Sequence, residues 1–82
     1  MAEMVQPRAE PKDWEEVLEL LHFPASLSEI TKKAHDVGGI DREVHEIIGR
    51  LPHDSYGSRE DFLQDVRDIY LADGIASDKL PV

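Results

Sequence analysis

The sequence predicts an all-α fold, a small bundle of four short helices around a central helical hairpin. Three observations predict it. Capping residues precede four apolar stripes with helical spacing, the pair Gly38-Gly39 separates the two middle stripes, and no segment shows the apolar-polar alternation of a half-buried strand. Because the chain has 82 residues, we expect a single domain with one small core.

The domain boundaries follow from composition. Residues 1–11 contain two prolines and no apolar period, so we expect a disordered leader there. Residues 12–74 carry all four helical stripes and form the predicted helical domain. Residues 75–82 lack a period, and we expect a flexible C-terminal tail.

The first helix is predicted to begin after Asp13, which we interpret as the N-cap, with Glu16 completing a capping box. Pro24 restricts the residue before it, so the helix should end near residues 22–23. Its apolar stripe consists of Trp14, Val17, Leu18 and Leu21.

The central hairpin has a start signal, a joint and a stop signal. Ser26-Leu27-Ser28-Glu29 is typical of a capping box, so a helix should begin there. Gly38-Gly39 ends it, because glycine reaches a left-handed cap without a Cβ clash. Asp41 is predicted to cap the next helix, and Pro52 to close it. Since the joint is so short, the two helices must pack against each other.

The last helix should begin after Ser58 as N-cap and stop at Gly74. Before it lies a turn-forming segment in which Tyr56 is large enough to anchor the loop on the core. The helix carries an apolar face of Phe62, Leu63, Val66, Ile69 and Tyr70.

The four stripes together predict the core. Trp14 and Tyr70 lie on apolar stripes, and we interpret both as core anchors rather than interface residues. The other predicted core residues are Val17, Leu18, Leu21, Phe23, Leu27, Ile30, Ala34, Val44, Ile47, Ile48, Leu51, Tyr56, Phe62, Val66 and Ile69.

Residues 17–66 resemble a known family. The similarity begins with Phe23-Pro24-Ala25-Ser26 and ends with Leu51-Pro52-x-x-x-Tyr56-x-Ser58. Between them lie a helix with Ile30 and Ala34, the glycine pair Gly38-Gly39, and a second helix with Val44 and Ile48. This pattern resembles the bacterial family Domain of Unknown Function 2795 (DUF2795). The chain departs from the family pattern at Gly39-Ile40 and after Ser58. The resemblance implies a compact bacterial module and transfers no active site.

Charge bears on the class of partner. The chain has eighteen acidic and nine basic residues and therefore a net charge of -9. The electric field of such a charge repels nucleic acid and anionic membranes and favours binding of basic proteins. The chain has no cysteine, and no basic segment followed by an apolar run comes after Met1. We therefore expect a cytoplasmic protein with a protein partner and no membrane association.

No catalytic, metal or cofactor motif is present. The four histidines lie in separate segments without metal-ligand spacing, and no serine occupies a nucleophile elbow. Gly38-Gly39 lacks the preceding strand and the Gly-Lys-Ser/Thr run of a phosphate loop. We expect no catalytic activity, no cofactor and no metal.

The candidate partner-binding residues are Asp61, Asp65 and Asp68, which form one acidic stripe on the last helix, opposite its apolar face. Such stripes commonly keep small acidic proteins soluble, and this is the simpler interpretation. The functional interpretation is a docking strip for a basic partner.

A helix-turn-helix regulator that binds nucleic acid is the alternative function, because two short helices with a glycine joint match its outline. However, the supposed recognition helix begins Asp41-Arg42-Glu43, which places acids where phosphate contacts belong. The sequence therefore favours an acidic module that works by protein-protein contact.

Overall fold

The structure of the protein is a computed structural model that describes residues 6–82. The expected leader lies in part outside these residues, since residues 1–5 are not described. The elements in chain order are α1 (Pro11–Leu20), β1 (Ala25–Ser26), α2 (Leu27–Asp36), α3 (Arg42–Ile48), β2 (Ser55–Tyr56), α4 (Arg59–Ala72) and a 3₁₀ helix (Ser77–Lys79). The predicted mostly helical domain is thus confirmed, with α2 and α3 packed against each other as its central hairpin.

Helix α1 begins earlier than predicted, and the interpretation of Asp13 as its N-cap is wrong. Glu10 is the N-cap, and the Asp13 carboxylate accepts a hydrogen bond from the Glu10 backbone N–H at 3.0 Å. Asp13 is therefore the third helical residue. Pro11 takes the first helical position, where its missing N–H needs no partner. At the other end, α1 stops at Leu20 rather than near residues 22–23.

The predicted caps of the central hairpin are confirmed. Ser26 Oγ accepts from the Glu29 backbone N–H at 3.2 Å, and Glu29 accepts in return from the Ser26 N–H at 3.3 Å. Asp41 Oδ1 accepts from the Glu43 N–H at 2.8 Å. Gly39 has φ +81°, a left-handed conformation that favours glycine in the joint.

Helix α3 ends sooner than the position of Pro52 predicts. Its last residue is Ile48, and Gly49 follows as the C-cap. The chain then continues in tight turns, with the N–H of Leu51 donating to the Ile48 carbonyl at 3.2 Å. Glycine is a poor helix former, which accounts for the earlier end of the helix.

The expectation of no sheet is wrong in one detail. β1 and β2 pair antiparallel, with Ala25 opposite Tyr56 and Ser26 opposite Ser55. Each strand has only two residues, which is too short to show an alternating pattern in the sequence. The pair fixes the loop before α4 to the start of α2.

The segments outside the predicted domain pack on the fold. Ala9, inside the expected leader, is 3% exposed, and Ile75, inside the expected tail, is 5% exposed. Residues 75–82 also include the 3₁₀ helix. Leu80 and Val82 also pack against the core. Neither the single Ala9 nor the set Ile75, Leu80 and Val82 has the i, i+3, i+4 spacing that would have indicated a helix in the sequence.

The core lies where the four stripes meet. Trp14 and Tyr70 are 0% and 1% exposed, so their interpretation as core anchors is confirmed. Of the other predicted core residues, only Phe23 and Leu27 are partly exposed, and both pack against the core. The sequence prediction missed three residues of the core cluster, Ala9, Ala25 and Ile75. Asp13 and Pro81 are also buried.

Candidate functional site

The three carboxylates of the predicted acidic stripe differ in their surroundings: one forms hydrogen bonds with the preceding loop, and the other two are exposed. The side chain of Asp65 is 20% exposed and sits in the middle of the stripe. Its Oδ2 atom accepts a hydrogen bond from the Tyr56 hydroxyl at 2.8 Å and lies 2.9 Å from His53 Nδ1. Asp65 therefore ties the loop before α4 to the helix, a structural role that the spacing of the three aspartates did not indicate.

Asp61 and Asp68 lie exposed on either side of Asp65 along α4. Asp68 Oδ1 accepts a hydrogen bond from Gln64 Nε2 at 2.9 Å. Within residues 6–82, neither Asp61 nor Asp68 forms an ion pair, whereas Asp73 forms a bidentate pair with Arg50 at 2.7 and 2.9 Å. The two exposed aspartates thus carry charge that no basic side chain of the described chain neutralises.

Two shallow recesses meet at Asp65. The first, about 250 Å³, lies between the 53–57 loop and α4, and both Asp61 and Asp65 line it. The second, about 280 Å³, lies beside the following turn of α4 and is lined by Asp65 and Asp68 together with the Arg50 side chain. All three predicted site residues therefore border a concave surface, which we call the α4 acidic surface (Asp61, Asp65 and Asp68).

Tyr56 supports this surface from beneath. It is 3% exposed, which confirms its prediction as the anchor of the loop. Burial, together with the hydrogen bond and the charge of Asp65, raises the pKa of Tyr56 to about 12. The phenol therefore stays protonated and donates to Asp65 throughout the physiological pH range.

A second polar cluster runs from the buried core to the half-buried Glu43. Tyr70 accepts a hydrogen bond from Trp14 Nε1 at 3.1 Å and donates one to Glu43 Oε2 at 3.0 Å. The same Glu43 oxygen accepts from the backbone N–H groups of Arg8 and Ala9 at 3.0 and 2.9 Å. Burial is the main cause that raises the pKa of Tyr70, so its hydroxyl remains a donor. No motif in the sequence signals this network, because its members are far apart in the chain.

The histidines do not assemble into a metal site among residues 6–82, where no group of three or more potential ligands is found. His35 and His45 stack across the hairpin, with ring centroids 4.7 Å apart and planes inclined by 17°. Burial and the neighbouring His35 both lower the pKa of His45. This pair was not expected from the sequence, since the two residues lie on different helices.

No helix in the part of the chain that the structure describes is long and apolar enough to cross a membrane. Comparisons with protein-family models, with curated proteins and with solved structures find no match to this chain. The resemblance to Domain of Unknown Function 2795 therefore stays a prediction.

Proposed function

We propose that this protein is a small acidic helical module without catalytic activity of its own, which binds a basic segment of a protein partner at the α4 acidic surface. The observation that carries the proposal is the pair of exposed aspartates, Asp61 and Asp68, that border concave surface without an ion-pair partner in residues 6–82. Lysine or arginine side chains of a partner would supply the missing positive charge.

The wider charge distribution supports the same class of partner. The chain carries a net charge of -9, so its overall field attracts basic proteins and raises their rate of association. Asp65 contributes in a different way, because its hydrogen bonds to Tyr56 and His53 hold the middle of the surface in place. A fixed carboxylate between two exposed ones gives the surface a defined shape as well as charge.

The helix-turn-helix alternative is supported less well. Asp41 caps α3, and Glu43 in its first turn accepts hydrogen bonds from Tyr70 and from the segment before α1. Two acids at the start of the supposed recognition helix are thus built into the fold, where they would oppose a phosphate backbone. With a net charge of -9, counterion release would not favour duplex DNA.

Fluorescence anisotropy separates the two functions. We expect a labelled lysine-rich peptide to bind at low salt, with an affinity that falls as salt rises, and we expect a labelled random-sequence DNA duplex of similar length not to bind. A neutral peptide, in which glutamine replaces every lysine, is the control. Micromolar binding of DNA would reject the proposed module and promote the helix-turn-helix function, and equal binding of basic and neutral peptides would reject the basic partner.

A further inference from the structure

The two-stranded sheet has one free edge beside the α4 acidic surface. The N–H of Leu27 donates to the Asp54 carbonyl at 2.6 Å, and Ala25 pairs with Tyr56. Hydrogen-bonded and non-hydrogen-bonded pairs alternate along an antiparallel ladder, so the pair between them, Ser26 and Ser55, is of the non-hydrogen-bonded kind. The N–H and C=O of Ser55 therefore point away from β1.

The two strands differ in whether their outward-facing backbone groups already form hydrogen bonds. On β1, the N–H of Ser26 donates to Glu29 in the capping box at 3.3 Å, so this edge is closed by the start of α2. On β2, no further strand pairs within residues 6–82, and the sheet consists of β1 and β2 only. The backbone of Ser55 is thus the edge that remains available for another chain.

The first recess runs along this edge. Its lining consists of four loop residues, His53, Ser55, Tyr56 and Gly57, and of Asp61, Gln64 and Asp65 of α4 on the other side. At Gly57 the nearest atom that an added Cβ would meet is Asp61 Oδ2, at 4.0 Å, so there is open space for a side chain at this position. Backbone hydrogen-bonding groups and carboxylates therefore border the same volume.

We propose that the edge of β2 accepts an extended basic segment of the partner as an added strand, with a lysine or arginine side chain in the recess against Asp61 and Asp65. This inference rests on the proposed function for the basic character of the partner and adds the mode of binding. Strand addition obtains affinity from main-chain hydrogen bonds and specificity from pockets for alternate side chains. Both elements are present here at one edge.

Charge selects this occupant over other extended segments. The recess contains two carboxylates and no lysine or arginine in its lining, so an acidic segment would be repelled. An apolar side chain would remove water from Asp61 and Asp65 without supplying a hydrogen-bond donor, which is unfavourable. A basic side chain supplies N–H donors to the carboxylates, while the backbone of a neighbouring residue in the same segment pairs with Ser55.

N-methylated peptides test the strand mode without any change in charge. The probe is the labelled peptide Ser-Lys-Val-Lys-Val-Lys-Ser, together with two doubly N-methylated isomers, one methylated at the first two lysines and the other at the two valines. In an added strand, only alternate residues direct their N–H toward β2. We therefore expect one isomer to bind about tenfold more weakly than the parent peptide and the other to bind equally well. We also expect the Ser55 amide to gain protection from hydrogen exchange on binding.

The outcomes separate this inference from the proposed function. If the parent peptide binds and both isomers bind equally well, strand addition is rejected, whereas the basic partner stands. If the parent peptide does not bind, the basic partner is rejected, and the strand mode with it.

A substitution in the protein tests whether the added strand binds beside β2. Gly57→Val should fill the recess and weaken binding of the parent peptide several-fold, while the melting temperature stays near that of the unchanged protein. Gly38→Val is the matched control, because an added Cβ there meets nothing within 4 Å and Gly38 lies in the hairpin joint. Equal peptide affinity for Gly57→Val and the unchanged protein would overturn the placement of the strand at β2.

Discussion

The hydroxyl of Tyr70 donates a hydrogen bond to the carboxylate of Glu43 at 3.0 Å and so links α4 to the first turn of α3. Tyr70 is 1% exposed, and its oxygen also accepts from Trp14. The contact thus joins three helices through one buried oxygen atom. It also orients the Glu43 oxygen that accepts hydrogen bonds from the backbone N–H groups of Arg8 and Ala9.

We predict that Tyr70→Phe lowers the free energy of unfolding by about 1 to 3 kcal/mol, because Trp14 Nε1 loses its buried acceptor and Glu43 loses a donor. Urea denaturation measures the effect. A double-mutant cycle with Glu43→Ala, which removes the acceptor, should show coupling of about 0.5 to 3 kcal/mol between the two sites. Additive effects of the two substitutions would contradict a direct interaction between these residues.

We predict that Ser26→Ala lowers the free energy of unfolding by about 1 kcal/mol through loss of the cap of α2. Ser26 Oγ accepts from the Glu29 N–H at 3.2 Å, and alanine has no atom to replace it. Ser77→Ala is the control, since Ser77 is exposed and lies in the 3₁₀ helix rather than in α2. Melting of Ser26→Ala together with the unchanged protein would show that the capping box does not stabilise α2.

We predict that Ile48→Ala costs roughly 2 to 5 kcal/mol, because a cavity would replace a fully buried side chain. Ile48 is 1% exposed, whereas Leu71 is 44% exposed and serves as the control. Leu71→Ala should change stability by no more than about 0.5 kcal/mol. Near-parental stability of Ile48→Ala, measured by urea denaturation, would show that the interior of the hairpin tolerates the loss.

We predict that the stacked histidines make the hairpin less stable in mild acid. The pKa of His45 is lowered below its ordinary value of 6.5 in the folded protein, so the unfolded chain binds the proton more readily. The contribution of His45 to stability is therefore present above pH 6.5 and is lost as the pH falls through the folded pKa. Unfolding free energies measured from pH 7.5 down to pH 5 should fall less steeply for His45→Gln than for the unchanged protein. An equal loss of unfolding free energy with pH in the two proteins would contradict the assignment of the acid sensitivity to His45.

The sequence predicts those parts of the fold that depend on neighbouring residues. The caps at Ser26, Asp41 and Ser58 are local, because each side chain bonds to an amide two or three residues away. At α1 the same local chemistry misled the prediction. Asp13 accepts a hydrogen bond from the N–H of Glu10, which precedes it in the chain, and not from a residue that follows it. The spacing of acidic residues in the sequence does not distinguish these two directions.

Long-range contacts could not be read from the sequence. Glu43 bonds to residues 34 and 35 positions earlier and to Tyr70, 27 positions later, and none of these pairs has a spacing signal. The candidate site is an intermediate case. Helical periodicity placed Asp61, Asp65 and Asp68 on one stripe, but the involvement of Asp65 with Tyr56 and His53 depends on how the loop folds back on α4.

The proposed function requires that a basic partner binds at the α4 acidic surface. Two double variants with equal change in charge test this requirement, by anisotropy of the labelled lysine-rich peptide. One is Asp61→Asn with Asp68→Asn, and the other is Glu16→Gln with Asp36→Asn, exposed positions on α1 and α2 that do not line the two recesses. Asp65 stays unchanged, because it holds Tyr56. We predict that the α4 pair weakens binding about threefold to tenfold more than the control pair, whereas equal weakening by both pairs would contradict the claim.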